Sequence, residues 1–509
     1  MDRDDSRTDG EPLNRTVAAP KALDPVAILD APTAGGKVIR GSVPRIGGYL
    51  VGVLLAVLAA ALMTRHLGVV GWGQYITVTS LVTIVSGLSE AGLSAIGTRE
   101  YATREGDERA RLMRNLLGLR LAITVAGVAG AVVFAIAAGY DSVLVVGTLL
   151  AGLALPLAVA QQMYMIPLGT ALKIGLVSAV DLVRQVATTL VVVALVVAGA
   201  GLQPFLAIPL PVGRALVLLT VFLVKGAIPL RPAFEPAQWK HVFGLTIVYS
   251  AAAAVGSIYG SLTVVIASLV ATSTELGYYG VSFRVFSVLA VLPFLAVYLA
   301  FPILSRAALN DETRLRYAMQ RLFESSLIFG AWIALATSLG ARFAIGVVAG
   351  PHFEPAVAVL QIQGVALLAT ALASTWSTGL LALHRHRAVL LANLLGLAMS
   401  ALLTGLLVGP YGAKGAAIAT VGGEFTLALA YTVALLGGDR RLSVPVGVIP
   451  KVAAATAAAL ALALVPGLDG LPLVLAASAA YFAVLWVLRG IPEELQTAFL
   501  ERIDRKAKA

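Results

Sequence analysis

Four arginines sit where the chain is otherwise apolar: Arg120, Arg184, Arg214 and Arg284. A charged side chain at the centre of a bilayer-spanning helix costs roughly 2.5–3.5 kcal/mol on insertion scales, so each needs a compensating role. A guanidinium presents a planar fork of donors that matches the oxygens of a phosphate or a carboxylate. Three acids share the setting: Glu90, Asp181 and Glu424. A buried carboxyl with a shifted pKa can bind and release a proton or a cation, which makes these three candidates for ion coupling.

Every one of these residues also has a structural reading. Asp181 precedes Arg184 by three positions, so both occupy one helix face and can neutralise each other. Arg214 follows Pro209 and Pro211, which lack backbone donors and predict a bend or broken turn. It can serve a phosphorylated ligand or a pair across the bundle. Arg284 lies about eight residues, roughly 12 Å, into its span. Arg120 stands within about 9 Å of a span end and can snorkel to the interface. Glu90 and Glu424 can bridge helices by hydrogen bonds. Tyr249 and Tyr259 can stack on sugars or pack as ordinary aromatics.

The elements that position these groups are hydrophobic helices. The chain is 59% hydrophobic and 13% charged, with mean hydropathy +0.90. A hydrocarbon core about 30 Å thick takes roughly 20 apolar residues per helix. About fourteen spans are expected, near 44–64, 72–97, 115–137, 143–167, 172–199, 203–227, 241–271, 276–304, 322–349, 355–383, 388–408, 411–437, 447–465 and 470–489. They are too long and lack the alternation for barrel strands, so an all-α integral membrane protein is expected. With no cysteine, disulfides and thiolate metal sites do not arise.

Thirty of the 37 Lys and Arg fall in alternate connections, against three (Arg65, Arg342 and Lys414) on the other side. That asymmetry places both termini in the cytoplasm and accounts for the net charge of +10 without nucleic acid. Residues 1–41 carry no apolar leader and read as a disordered cytoplasmic tail. Residues 490–509 repeat Leu495, Phe499 and Ile503 among charges, as an amphipathic tail on the inner membrane face. The preference for Arg over Lys points to a bacterial cell membrane.

Covalent chemistry is not expected. The outer connections are short, and their acids (Asp141, Glu275, Glu354 and Asp469) are scattered singly. No phosphate-cradling Gly-x-x-x-x-Gly-Lys or His-Glu-x-x-His motif occurs. Asp2-Arg3-Asp4 lies in the tail, and His384 and His386 flank Arg385 and Arg387 as headgroup anchors rather than metal ligands. The reading is a non-enzyme that needs neither cofactor nor metal.

An internal repeat is visible. LGVVGWGQYITVTSLVTIV carries Gly73-Gln74-Tyr75, and VATSTELGYYGVSFRVFSVL carries Gly277-Tyr278-Tyr279; each leads into a long helix and then an Arg-rich connection. Transporters commonly bind substrate where two such halves meet. These segments also resemble the polysaccharide flippases of the multidrug/oligosaccharidyl-lipid/polysaccharide exporter superfamily. Arg65-His66-Leu67-Gly68 with Gly73-Gln74-Tyr75 is similar to that family's Arg-x-Leu-Gly…Gly-x-Tyr pattern. Glu90-Ala91-Gly92-Leu93 is similar to its Asp-x-Gly-Leu, with Glu for Asp. Phe353 to Arg387 resembles its tenth helix, and Pro410 to Ala417 the turn opening its twelfth.

The resemblance implies two six-helix lobes, 42–228 and 229–438, related by a pseudo-twofold and facing a central cavity. Helices 13 and 14 (439–489) are expected to be plain lipid-facing material. It implies translocation of a polyprenyl-pyrophosphate-linked oligosaccharide from the cytoplasmic to the outer leaflet by alternating access. Arg284, Arg214, Arg184 and Arg65 would bind the substrate, and Glu90, Asp181 and Glu424 would be the candidates for ion coupling. Expected partners are the lipid-linked oligosaccharide, membrane lipids, and glycan polymerases or glycosyltransferases, with the protein a monomer. The alternative in the same superfamily is a cation-coupled multidrug antiporter.

Overall fold

The computed structural model describes residues 34–171, 173–224, 231–298, 304, 312–437 and 445–491. Among them, twelve helices are long and apolar enough to cross a membrane, and no strand occurs. The longest, α1 (Ala34–Glu90), has 57 residues, about 85 Å at 1.5 Å per residue and far more than one crossing needs. It is interrupted in its middle by Gly68, whose φ of 68° and ψ of −175° are not helical. Helix α14 (His386–Leu436) repeats this design at Gly412, with φ 54° and ψ −133°, two residues after Pro410. The described residues thus hold twelve candidate spans where about fourteen were expected, and the two longest helices are each interrupted at a glycine.

Between them run α2 (Leu93–Thr103), α3 (Gly106–Ala137), α4 (Ser142–Leu153), α5 (Leu155–Thr170), α6 (Ile174–Val197), α7 (Leu202–Ala207) and α8 (Pro209–Val224). Then come α9 (Pro236–Ser268), α10 (Ser273–Tyr298), α11 (Glu312–Leu339), α12 (Ala341–Val348) and α13 (Ala356–Ala382), and after α14 the closing pair α15 (Ile449–Ala461) and α16 (Gly470–Val487). At Ile208, ahead of Pro209 and Pro211, the backbone keeps helical angles (φ −46°, ψ −43°), so the expected broken turn reduces to an interruption of the hydrogen-bond ladder where the prolines lack donors. Helices α1 to α8 pack chiefly among themselves, as do α9 to α14; α1 meets α9 and α10 along the junction.

Two expectations need correction. Residues 34–41 belong to α1 rather than to a disordered tail; extending a helix that already exists fixes one residue per hydrogen bond gained. The rest of that tail and most of the C-terminal one (492–509) lie outside the described residues. Helices α15 and α16 are not plain lipid-facing material. Ala455, Ala459, Ala477, Tyr481 and Leu485 are buried against α11. The Tyr481 hydroxyl donates to the Ile328 carbonyl at 2.9 Å, and Trp332 Nε1 donates to Ser478 Oγ at 3.0 Å. Alanines let the backbones approach, and the two side-chain hydrogen bonds fix the register.

The segment joining the two groups of helices is pinned to α3. Ala233 N–H donates to the Arg114 carbonyl at 2.9 Å, and Glu235 N–H to Asn115 Oδ1 at 3.1 Å. Arg111 donates to both oxygens of Glu235, at 3.3 and 2.7 Å. That hydrogen bond holds the exposed Glu235 carboxyl below the usual carboxylate range. The contact is therefore present above the unfolded carboxyl pKa and is lost as the pH falls through the lowered value. Gly118 makes this docking possible: a Cβ there would stand 1.9 Å from the Ala233 carbonyl oxygen. Gly118→Ala is expected to lift the segment and accelerate hydrogen exchange at the Ala233 amide by about tenfold, the worth of roughly one net hydrogen bond. Unchanged protection at Ala233 would refute the pinning.

Candidate functional site

The site begins at a helix break. Ala91 (φ 32°) and Gly92 (φ 74°) both take left-handed conformations and separate α1 from α2. Glycine accepts that geometry freely, whereas alanine is strained in it. The break leaves the first amides of α2 without intrahelical acceptors. Glu90 reaches forward to fill the gap: its carboxylate accepts from Ser94 N–H at 3.3 Å and Ser94 Oγ at 2.9 Å.

Behind Glu90 lies Arg120 on α3, only 1% exposed. Its Nη2 donates to Glu90 Oε2 at 2.5 Å and to Gln162 Oε1 on α5 at 2.6 Å; Nη1 donates to Ser94 Oγ at 2.9 Å. The expectation that Arg120 snorkels is wrong. Two strong acceptors lie within reach inside the bundle, and a paired, hydrogen-bonded charge tolerates burial. The buried Nε has no partner.

Glu90 opens on a cavity of about 570 Å³ at the junction of the two helix groups. Its polar wall comprises Thr83, Ser86 and Glu90 of α1, Ser94 and Thr98 of α2, Gln161 and Gln162 of α5, Asp181 and Arg184 of α6, and Ser257 of α9. Asp181 accepts from Arg184 Nη2 at 2.6 Å, and both side chains are about half exposed (53% and 51%). Of the seven residues proposed from sequence, the fold brings three to this cavity: Glu90, Asp181 and Arg184. Within it, each acid has a guanidinium partner.

The other four lie elsewhere. Arg284 is on α10, the helix that packs along α1. Its buried Nε has no hydrogen-bond partner, and among the described residues it forms no ion pair. Arg65 is exposed at the arginine-poor end, the end that also carries Arg342 and Lys414. It donates to the Gly346 and Val347 carbonyls at 3.2 and 2.6 Å, capping the last turn of α12. Glu424 is buried and accepts from Thr370 Oγ1 at 2.8 Å, joining α14 to α13. Tyr259 is packed beside Gly423 with a buried, unpartnered hydroxyl, and the Tyr249 side chain lies outside the described residues.

Arg214 is not brought to the cavity. Val212, Leu216 and Thr220 form the buried stripe of α8, and Arg214 shares the opposite, exposed face with Leu218 and Phe222. The apolar stripe sets the rotation of α8, and the guanidinium follows it outward. Conversely, the sequence reading passed over Arg120 as a site residue, along with Ser94 and Gln162. The adjacent amides Gln161 and Gln162 in an otherwise apolar span were the available signal.

The cavity lies in the arginine-rich half; in the opposite half the two repeats meet in backbone contact. Gly73 and Gly277 face each other so closely that a Cβ on Gly73 would stand 1.9 Å from Ser273 O. A Cβ on Gly277 would stand 2.2 Å from Val69 O. One turn further in, Gly280 rests on Ile76 and Trp72.

A family model described as polysaccharide biosynthesis protein matches residues 62–358, more than half of the chain. The chain belongs to this family. The polysaccharide biosynthesis model spans the helix break, the cavity walls and the glycine seal, so these features lie in the family's shared region. No curated protein matches by sequence. By fold, the chain is similar to a structure titled lipid II flippase MurJ, inward closed conformation, with TM-score 0.73 and 13% identity, over 88% of this chain and 99% of that one. It is also similar to an inward-facing multidrug resistance MATE family transporter of the MOP superfamily, with TM-score 0.59 and 13% identity, over 75% of this chain and 93% of that one. A mutant of the Vibrio cholerae MATE transporter VcmN aligns with TM-score 0.50 and 16% identity over 80% of this chain and 98% of that one. The protein is thus a multi-pass membrane protein with the fold shared by these transporters.

Proposed function

We propose that this protein carries a polyprenyl-diphosphate-linked oligosaccharide from the cytoplasmic to the outer leaflet of a bacterial cell membrane by alternating access. The observation that carries the reading is the polar cavity at the junction, in the arginine-rich half, with α1 and α10 in backbone contact at Gly73 and Gly277 in the other half. By the positive-inside rule the arginine-rich end is cytoplasmic. Hydroxyls and amides suit a saccharide, which presents many hydroxyl groups and few charges. The prenyl chain stays in lipid while the headgroup enters the cavity. Parting the glycine seal as the arginine-rich half closes then exposes the headgroup to the outer face.

Arg284 lies one turn deeper into the bundle than the Gly280 contact, with no carboxylate among the described residues to neutralise it. It is the cation that the diphosphate meets as the seal opens. A hydrogen bond to an ionised group is worth about 1.5–3 kcal/mol. Arg284→Ala is therefore expected to lower translocation of a fluorescent polyprenyl-diphosphate oligosaccharide in proteoliposomes by about tenfold to a hundredfold. Undiminished translocation in that variant, or proteoliposomes that extrude cationic dyes and leave the glycolipid in place, would overturn the reading.

A further inference from the structure

The Glu90 site holds more than a structural ion pair needs. Arg120 is fully buried, yet it engages Glu90 through one nitrogen only, and its Nε has no partner. Ser94 Oγ and the Ser94 amide at the opened N-terminus of the eleven-residue α2 donate to the same carboxylate, while Gln162 Oε1 accepts from Arg120 and holds the guanidinium in place. Donors converging on a helix N-terminus beside a buried guanidinium make an anion site, and a broken helix at a lobe junction is where transporters place one. Its present occupant is the protein's own carboxylate, about one-third exposed to the cavity and so free to leave.

We infer that Glu90 is an internal surrogate for the cargo's phosphate: the cradle of Arg120 and Ser94, with Gln162 positioning the guanidinium, exchanges the Glu90 carboxylate for a lipid-linked diphosphate when the cavity loads. This rests on the proposed function and adds a binding residue, Arg120, to it. The cargo's diphosphate carries two non-bridging oxygens on each phosphorus, four where the carboxylate has two, so it can accept from Arg120 Nη2 and Ser94 Oγ in the place of Glu90 and still present oxygens to the cavity. The other charges that line the cavity, Asp181 and Arg184, neutralise each other, so the exchange involves no third unpaired charge there. Glu90 excludes stray anions from an empty carrier and sets a threshold that only a tethered diphosphate at high local concentration exceeds. Arg120 and Arg284 then act in sequence, one receiving the diphosphate from the arginine-rich side and the other meeting it beneath the seal.

The test uses the purified full-length protein in detergent, with geranylgeranyl diphosphate as the probe and geranylgeraniol as the uncharged control. Glu90→Gln removes the competing anion and is expected to tighten diphosphate binding by about tenfold or more, leaving the alcohol unaffected. Where E90Q lowers the melting temperature, the diphosphate should restore it and the alcohol should not. The double variant Glu90→Gln/Arg120→Gln, neutral at both positions, should lose the gain. Equal or weaker diphosphate binding by E90Q, or a gain that survives in the double variant, overturns the inference. If diphosphate binding depends on Arg284 but ignores Glu90 and Arg120, the exchange fails and the flippase reading stands. If no variant distinguishes diphosphate from alcohol, both fail.

Discussion

Valine in place of Gly73 is expected to drive the arginine-poor end apart. The position of a Cβ there, 1.9 Å from the Ser273 carbonyl oxygen and 2.9 Å from the Gly277 nitrogen, is already occupied by backbone. Backbone cannot rotate away as a side chain can. The facing Gly277 has no slack either, since it rests on Val69 O. Overpacking typically costs about 1–3 kcal/mol, and here the cost falls only on the conformation in which the two repeats touch. The population should shift toward the opposite-facing state by about fivefold to a hundredfold. The chain has no cysteine, so spin labels at Val70→Cys and Thr272→Cys, both exposed at this end, report the separation cleanly. A distance distribution unchanged by Gly73→Val in a folded protein would remove the seal from the mechanism.

The second large effect concerns the buried pair. Glu90→Ala is expected to destabilise the protein by about 3–5 kcal/mol, because it leaves a fully buried guanidinium without a counter-charge. Arg120→Ala should cost less electrostatically, since the carboxylate it strands is one-third exposed and can be hydrated from the cavity. Removing both side chains together should recover a large part of the Glu90→Ala loss. A double-mutant cycle on thermal unfolding in detergent measures this coupling. Additive losses would mean that the two charges do not compensate each other. A stable Glu90→Ala variant would mean that another acceptor takes over Arg120.

These effects centre on residues of unequal legibility. The glycine motifs Gly73-Gln74-Tyr75 and Gly277-Tyr278-Tyr279 are visible as a repeat, but their meeting across the junction is not. The Asp181–Arg184 pair is legible because a three-residue spacing on a helix is a local geometric fact. Glu90 and Arg120 are thirty residues apart, and no local spacing links them. Glu90 falls in a recognisable Glu-Ala-Gly-Leu motif, but only the left-handed backbone at Ala91 and Gly92 turns it into the cap of α2.

Length and hydropathy determined by themselves that the chain is a helical membrane protein of many apolar spans. Transfer into lipid is a property of each residue and sums along the chain, so those conclusions need no tertiary information. The tertiary structure alone decided which intramembrane arginine is buried and which faces out. Arg120 and Arg214 both lie in apolar helices, yet one is enclosed by Glu90, Ser94 and Gln162 while the other lines up with Leu218 and Phe222. In water, the polar face of a helix marks its outside. In a bilayer the lipid-facing and protein-facing sides are equally apolar, so helix rotation is set by small-residue packing and distant hydrogen-bond partners. Those partners come from other helices, and only the folded chain assembles them around Arg120.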